Sequence, residues 1–107
     1  MAYKGGIKAG STVEAELQLN NGAKGTALLV LSFADNGGGS GTDQCIVAPA
    51  ASGACSAKTN AGVTGMVRVW ADLNAESDGA RLITRVNGAE RDSEQITGDT
   101  TWSYSLA

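Results

Sequence analysis

The sequence predicts an all-β protein: a single antiparallel β-sandwich of six to seven short strands. Three observations predict it. Apolar and polar residues alternate with a period of two in several segments. Turn chemistry, such as Asn20-Asn21-Gly22 and Asn87-Gly88, separates those segments at short intervals. The length, 107 residues, suits one domain with one modest core. Spacing alone leaves Ig-like and jelly-roll topologies both open.

Residues 1–10 carry Gly5, Gly6 and Gly10 around a single Ile7, and are expected to be a flexible N-terminal arm preceding a sandwich domain over 11–107. From Thr12 to Leu19, Val13, Ala15, Leu17 and Leu19 alternate with Glu14, Glu16 and Gln18, the pattern of a half-buried strand. Thr26 to Phe33 is apolar on both faces and reads as a central strand. Asp35 to Asp43 reads as a glycine-rich loop, Gln44 to Ala48 as a short strand, and Pro49 to Ala61 as a loop of small residues. Val63 to Leu73 is the longest strand, with Val63, Val67, Val69, Ala71 and Leu73 on its core face. Leu82 to Val86 is a strand, and Asn87-Gly88 predicts a hairpin turn after it. Ala89 to Ile96 is charged and fits either an edge strand or a short helix. Thr100 to Leu106 sets Trp102, Tyr104 and Leu106, read as core, against Thr101, Ser103 and Ser105.

Composition excludes several functions. Without His, imidazole-dependent hydrolysis, HExxH zinc sites and His-ligated haem are all ruled out. Two Cys fall short of the three or four thiolates that structural zinc sites use when His is absent. Eight Lys+Arg against eleven Asp+Glu, without a basic cluster, argue against nucleic acid as a partner. The longest strictly apolar run, Ala27 to Leu31, is far short of the roughly 20 residues of a membrane helix. The opening residues have no signal-peptide apolar region. No cofactor is expected, and a virion or extracellular location is favoured.

Cys45 and Cys55 bracket a loop with Pro49 and Gly53. An oxidising compartment would join them, and that pairing is expected; a reducing one would leave two small hydrophobes. Asn74, Glu76 and Asp78 before Gly79, with Asp72 as an extra ligand, imitate the start of a calcium loop. Arg85 stands where the closing Glu belongs, so a solvated hairpin loop is the expectation. Glu14 and Glu16, on one strand face, read as solvated, and so do Glu90, Asp92 and Glu94. Trp70 shares the outer face of its strand with Thr64, Met66, Arg68 and Asp72. A large amphipathic aromatic beside an Arg suits a protein interface or a platform for a sugar.

Two short stretches are similar to known families. Gln44-Cys45 with Ala54-Cys55 resembles the first disulfide loop of the neocarzinostatin-type chromoproteins, small sandwiches that carry an enediyne in a cleft. The resemblance implies a secreted carrier, but the family's second Cys pair and its cleft aromatics have no counterpart; Ile46 and Val47 follow Cys45. Asp35-Asn36-Gly37-Gly38 with Val47-Ala48-Pro49 is similar to the first hairpin of single-stranded RNA phage coat proteins. The spacing differs, and the chain after Pro49 is too short for that family's remaining sheet and helices. No functional residue is carried over from either family.

The expected function is a non-catalytic structural or assembly module, of the virion coat, decoration or appendage kind. It would act by self-association as a homo-oligomer or by docking on a larger assembly, with contacts at Tyr3, Ile7, Met66, Arg68 and Trp70. The alternative is a small secreted binding module for a glycan or small molecule, held over Trp70 and Arg68 or beside the Cys45–Cys55 loop. A third reading, an enzyme, would have to run on carboxylates alone, as glycosidases do.

Overall fold

The computed structural model describes residues 2–20, 26–35, 40–47, 53–59, 62–73 and 79–107. Among them are nine strands and no helix: β1 (Ala2–Ile7), β2 (Val13–Leu19), β3 (Ala27–Asp35), β4 (Ser40–Val47), β5 (Ala54–Lys58), β6 (Val63–Leu73), β7 (Ala80–Val86), β8 (Ala89–Ile96) and β9 (Thr100–Leu106). They form two packed sheets, a five-stranded one in the order β1-β9-β6-β3-β4 and a four-stranded one in the order β5-β2-β7-β8. The pairs β2·β7 and β3·β6 are nested, so the chain crosses between the layers from β2 to β3 and again from β6 to β7.

Period-two alternation builds the core between the layers. Val13, Ala15 and Leu17 of β2 and Leu82 of β7 face Leu29, Leu31 and Phe33 of β3, Val67, Val69 and Ala71 of β6, and Trp102 and Tyr104 of β9. Trp102 and Tyr104 are fully buried, as their alternation with Thr101 and Ser103 requires. Burial of side chains this size stabilises by roughly 1.5–3 kcal/mol each. Asn87 and Gly88 both take positive φ, 53° and 84°, the requirement of the two-residue turn that joins β7 to β8. Between the two readings of Ala89 to Ile96, the edge strand is the one formed, and it pairs with β7.

Five expectations need correction. Leu106, read as core with Trp102 and Tyr104, is exposed at the end of β9. Residues 2–7 are not an arm but the edge strand β1, parallel to β9, with Ala2 opposite Trp102 and Ile7 opposite Leu106. The free edge of β9 supplies the hydrogen bonds that the glycine-rich sequence could not advertise. Ile7 is accordingly in the core, 3% exposed, and cannot serve as a surface contact. Residues 40–43 extend β4 rather than the preceding loop, because they pair with Leu31 to Ala34 of β3. Ala54 to Lys58, expected as loop, is strand β5, held antiparallel to β2 with Cys55 opposite Leu17. Its residues are too small to show strong alternation, although Ala57 is buried between exposed Ser56 and Lys58.

Both sides of the sandwich are closed by clasps between edge strands. On one side the Cys45–Cys55 disulfide joins β4 to β5, with Cα atoms 6.0 Å apart. The Lys58 backbone N–H donates to Asp43 Oδ2 at 2.9 Å beside it. On the other side Lys4 of β1 pairs with Glu94 of β8. Arg91 of β8 donates to the carbonyl oxygens of Gly6 and Lys4, at 2.9 and 3.3 Å. Those carbonyls lie on a sheet edge that would otherwise be open to a further strand. The same cations cover aromatic faces: Lys4 Nζ stands 4.8 Å from the Trp102 ring centre and the Arg91 guanidinium 5.5 Å from that of Tyr104. Gly5 makes this clasp possible. Its φ of +108° sits in the bulge between Tyr3 and Gly6, and an added Cβ would stand 2.9 Å from Arg91 Nη2.

Candidate functional site

The two outer faces of the sandwich differ in character. On the four-stranded sheet, charges dominate and satisfy one another. Glu14 and Glu16 are not simply solvated: the β2·β7 register sets Glu14 opposite Arg85, and Arg85 Nη1 donates to Glu14 Oε1 at 3.0 Å and to Glu16 Oε1 at 2.8 Å. A hydrogen bond from Gln18, then Arg85, holds the Glu16 carboxyl below the usual carboxylate range, against partial burial. A groove of about 370 Å³ beside this cluster, lined by Thr12, Glu14, Lys58 and Arg85, thus has its Arg already engaged.

This cluster makes a prediction. Glu14 is 40% exposed on its side chain, so screening limits what the bridge contributes, and Arg85→Met lowers stability by about 1 kcal/mol at pH 7. A carboxyl whose pKa is depressed by folding contributes stability above its unfolded pKa and loses it as the pH falls through the folded value. The gap between wild type and variant in urea unfolding is therefore full at pH 7 and closes below about pH 4. A gap that stays constant down to pH 3 would rule the bridge out as its source.

The outer face of the five-stranded sheet is different. The register places its residues in rows across the strands. Ile46, Leu28 and Asp72 form one row, and Gln44, Val30, Trp70 and Thr101 the next. Thr42, Ser32, Arg68, Ser103 and Tyr3 form a third row. Met66 follows, two residues before Arg68 on β6. Ile46, Tyr3, Met66 and Trp70 are exposed by 69%, 64%, 54% and 40%, which makes this the face where the large exposed apolar side chains gather. With strands about 4.8 Å apart and residues about 3.3 Å apart along them, the rows cover roughly 20 Å by 20 Å. Among the described strand residues on this face, Arg68 and Asp72 are the only charges. Open grooves of about 500 and 370 Å³ flank Arg68, the larger lined by Val30, Ser32, Trp70 and Thr101.

Of the residues singled out in sequence, Met66, Arg68 and Trp70 come together on this face. Tyr3 joins them at its edge, its hydroxyl 2.7 Å from Ser105 Oγ. Ile7 is elsewhere, in the core. Leu28, Val30 and Ile46 join this face without being singled out by the sequence. For Leu28 and Val30 the signal is the apolar second face of the segment from Thr26 to Phe33, which in this two-layer fold lies open on β3; Ile46, on β4, reaches the face through its register with Leu28. Asp72 lies on the same face, with Asp99 against it. The hydrogen bond and the charge of Asp99, with some desolvation, raise the Asp72 carboxyl above its usual range. Asp99 Oδ1 also accepts from the Leu73 backbone N–H at 3.0 Å. Asn74, Glu76 and Asp78 lie outside the described residues, and among the described ones no cluster of three potential metal ligands exists. No described helix is long and apolar enough to cross a membrane.

Comparison with protein-family models, curated proteins and solved structures gives no match.

Proposed function

We propose that the protein is a non-catalytic assembly module, of the coat, decoration or appendage kind, that self-associates through the outer face of its five-stranded sheet. One observation carries the reading: Leu28, Val30, Ile46, Met66, Trp70 and Tyr3 lie together on a broad, nearly uncharged sheet face while the opposite outer face is charged. Large exposed apolar side chains gathered on one face, among small polar residues and few charges, mark a macromolecular contact. The Lys4 and Arg91 clasp is consistent with it, because it engages backbone carbonyls of the β1 edge and so disfavours association through that edge. A Cys45–Cys55 disulfide is compatible with work outside the cell.

The test is absolute mass by light scattering on a sizing column at two protein concentrations. The expected result is a species above the 10.8 kDa monomer whose mass falls on dilution, and a monomer when Trp70 and Met66 are both changed to Ser. A wild-type mass of 10.8 kDa at both concentrations would overturn the proposal.

A second reading is favoured by one feature. The groove of about 500 Å³ sets the half-exposed Trp70 ring beside Arg68, Ser32 and Thr101, a stacking surface with polar flanks suited to a glycan or small molecule. Its signature is quenching of Trp70 fluorescence by an added oligosaccharide in a monodisperse monomer.

A further inference from the structure

We infer that this face pairs with the same face of a second copy about a two-fold axis that runs across the strands at Trp70, placing Arg68 of each chain over Asp72 of the other. The inference rests on the assembly reading above and adds to it the partner and the geometry.

The argument starts from the spacing on β6. Arg68, Trp70 and Asp72 alternate outward along one strand, so the two charges on the face lie on either side of Trp70 at equal distances. A closed two-fold contact is isologous: residue i meets j, and j meets i. For two sheets packed face to face, the axis lies between them in two simple orientations. An axis along β6 would set Arg68 over its own copy and Asp72 over its own copy, two like-charge contacts. An axis across the strands reverses the direction of β6 in the second copy. Arg68 then faces Asp72 on both sides of the centre, and Val30 and Trp70 meet their own copies at the middle. Packed sheets stand about 10 Å apart, a gap that a long Arg and a short Asp bridge together. Like charges opposed across an interface are strongly unfavourable, so the face selects the second orientation.

The charge state of the free chain fits the same arrangement. Arg68 makes no ion pair among the described residues, unlike Lys4 and Arg85. Asp72 is crowded by Asp99 and has no ion-pair partner among the described residues. Each copy thus offers an unpaired guanidinium where the other offers a crowded carboxylate. Two Trp70 rings near the axis add an aromatic contact at the centre of the patch, where hot spots concentrate.

The test uses two single variants, Arg68→Asp and Asp72→Arg, each alone and then mixed, with dimerisation followed by sedimentation and native mass spectrometry. Each variant alone faces like charge with like and is expected to dimerise at least about tenfold more weakly than wild type. Mixed in equal amounts, they restore both pairs, and the expected product is a heterodimer of near wild-type affinity. Arg68→Glu with Asp72→Lys supplies a second pair should either first variant fold poorly. If wild type dimerises but the variants do so unchanged, or the mixture fails to recover, the two-fold geometry is overturned while the assembly reading stands. If wild type does not self-associate, both fall.

Discussion

Replacing Cys45 and Cys55 together by Ala lowers the free energy of unfolding by about 2.5–3 kcal/mol, the largest single effect expected from a surface-proximal change in this protein. The bond closes a loop with a sequence separation of 10, and the figure follows from the chain entropy that such a cross-link removes from the unfolded state. For a chain of 107 residues the loss corresponds to roughly 12 °C in Tm. Both Cys side chains pack against the core, so Ala at each site removes little volume and the cross-link term dominates. The measurement is thermal unfolding of wild type and variant at one fixed concentration, because self-association would itself raise an apparent Tm. Wild type treated with a reductant should fall to the same midpoint. A loss under 1 kcal/mol would mean that the β4–β5 side is held by its packing and by the Asp43 hydrogen bond instead.

Tyr104→Phe is expected to cost about 1.5–3 kcal/mol at pH 7 without changing the shape of the core. The Tyr104 hydroxyl donates to Asp92 Oδ2 at 2.7 Å and accepts from Thr84 Oγ1. Thr84 is itself fully buried, so Phe would leave that hydroxyl unpaired away from water and the Asp92 carboxylate without its donor. The pH dependence identifies the source. Burial, reinforced by the Asp92 carboxylate and opposed by the Thr84 hydrogen bond, pushes the Tyr104 hydroxyl well above the usual tyrosine pKa. An unfolded chain releases this proton near pH 10, whereas the folded chain keeps it. The contribution is therefore intact below about pH 10 and declines above it, by about 1.4 kcal/mol per pH unit, until the folded chain also ionises. Urea midpoints at pH 8 and pH 11 should show the gap between wild type and Tyr104→Phe shrinking. An unchanged gap would remove the hydroxyl from the account.

How much of this was legible in the sequence depended on contrast and on distance along the chain. Strands β2, β6 and β9 announce themselves because large apolar residues alternate with polar ones, and only one pairing register buries Val13, Val69 and Trp102 together. Strand β5 does not, because Ala54, Cys55, Ser56 and Ala57 differ too little in size and polarity for their alternation to stand out. Strand β1 exists through the partner it finds, an edge of β9 some hundred residues later, and only Tyr3 and Ile7 among its residues favour a strand, against two glycines and without alternation. The candidate face divides in the same way. Met66, Arg68 and Trp70 follow from the parity of one strand. Ile46 becomes part of it only through register between strands, and Asp99 meets Asp72 through space after a turn. Arg85 between Glu14 and Glu16 is likewise a product of register, invisible until β2 and β7 are paired.

The parallel pairing of β1 with β9 has a mechanical consequence. Because the first and last strands run in the same direction, the chain enters the pair at the end where Ala2 meets Trp102 and leaves it at the end where Ile7 meets Leu106. Tension applied to the two ends of the chain therefore pulls β1 and β9 past each other along their length. Their hydrogen bonds, and those of Arg91 to the β1 backbone, bear that load together rather than opening one after another. Resistance to such a pull is set by the rate of unfolding and not by its equilibrium free energy. A domain strung between two anchors in a filament or shell would thus be loaded in shear, the direction in which a strand pair yields last.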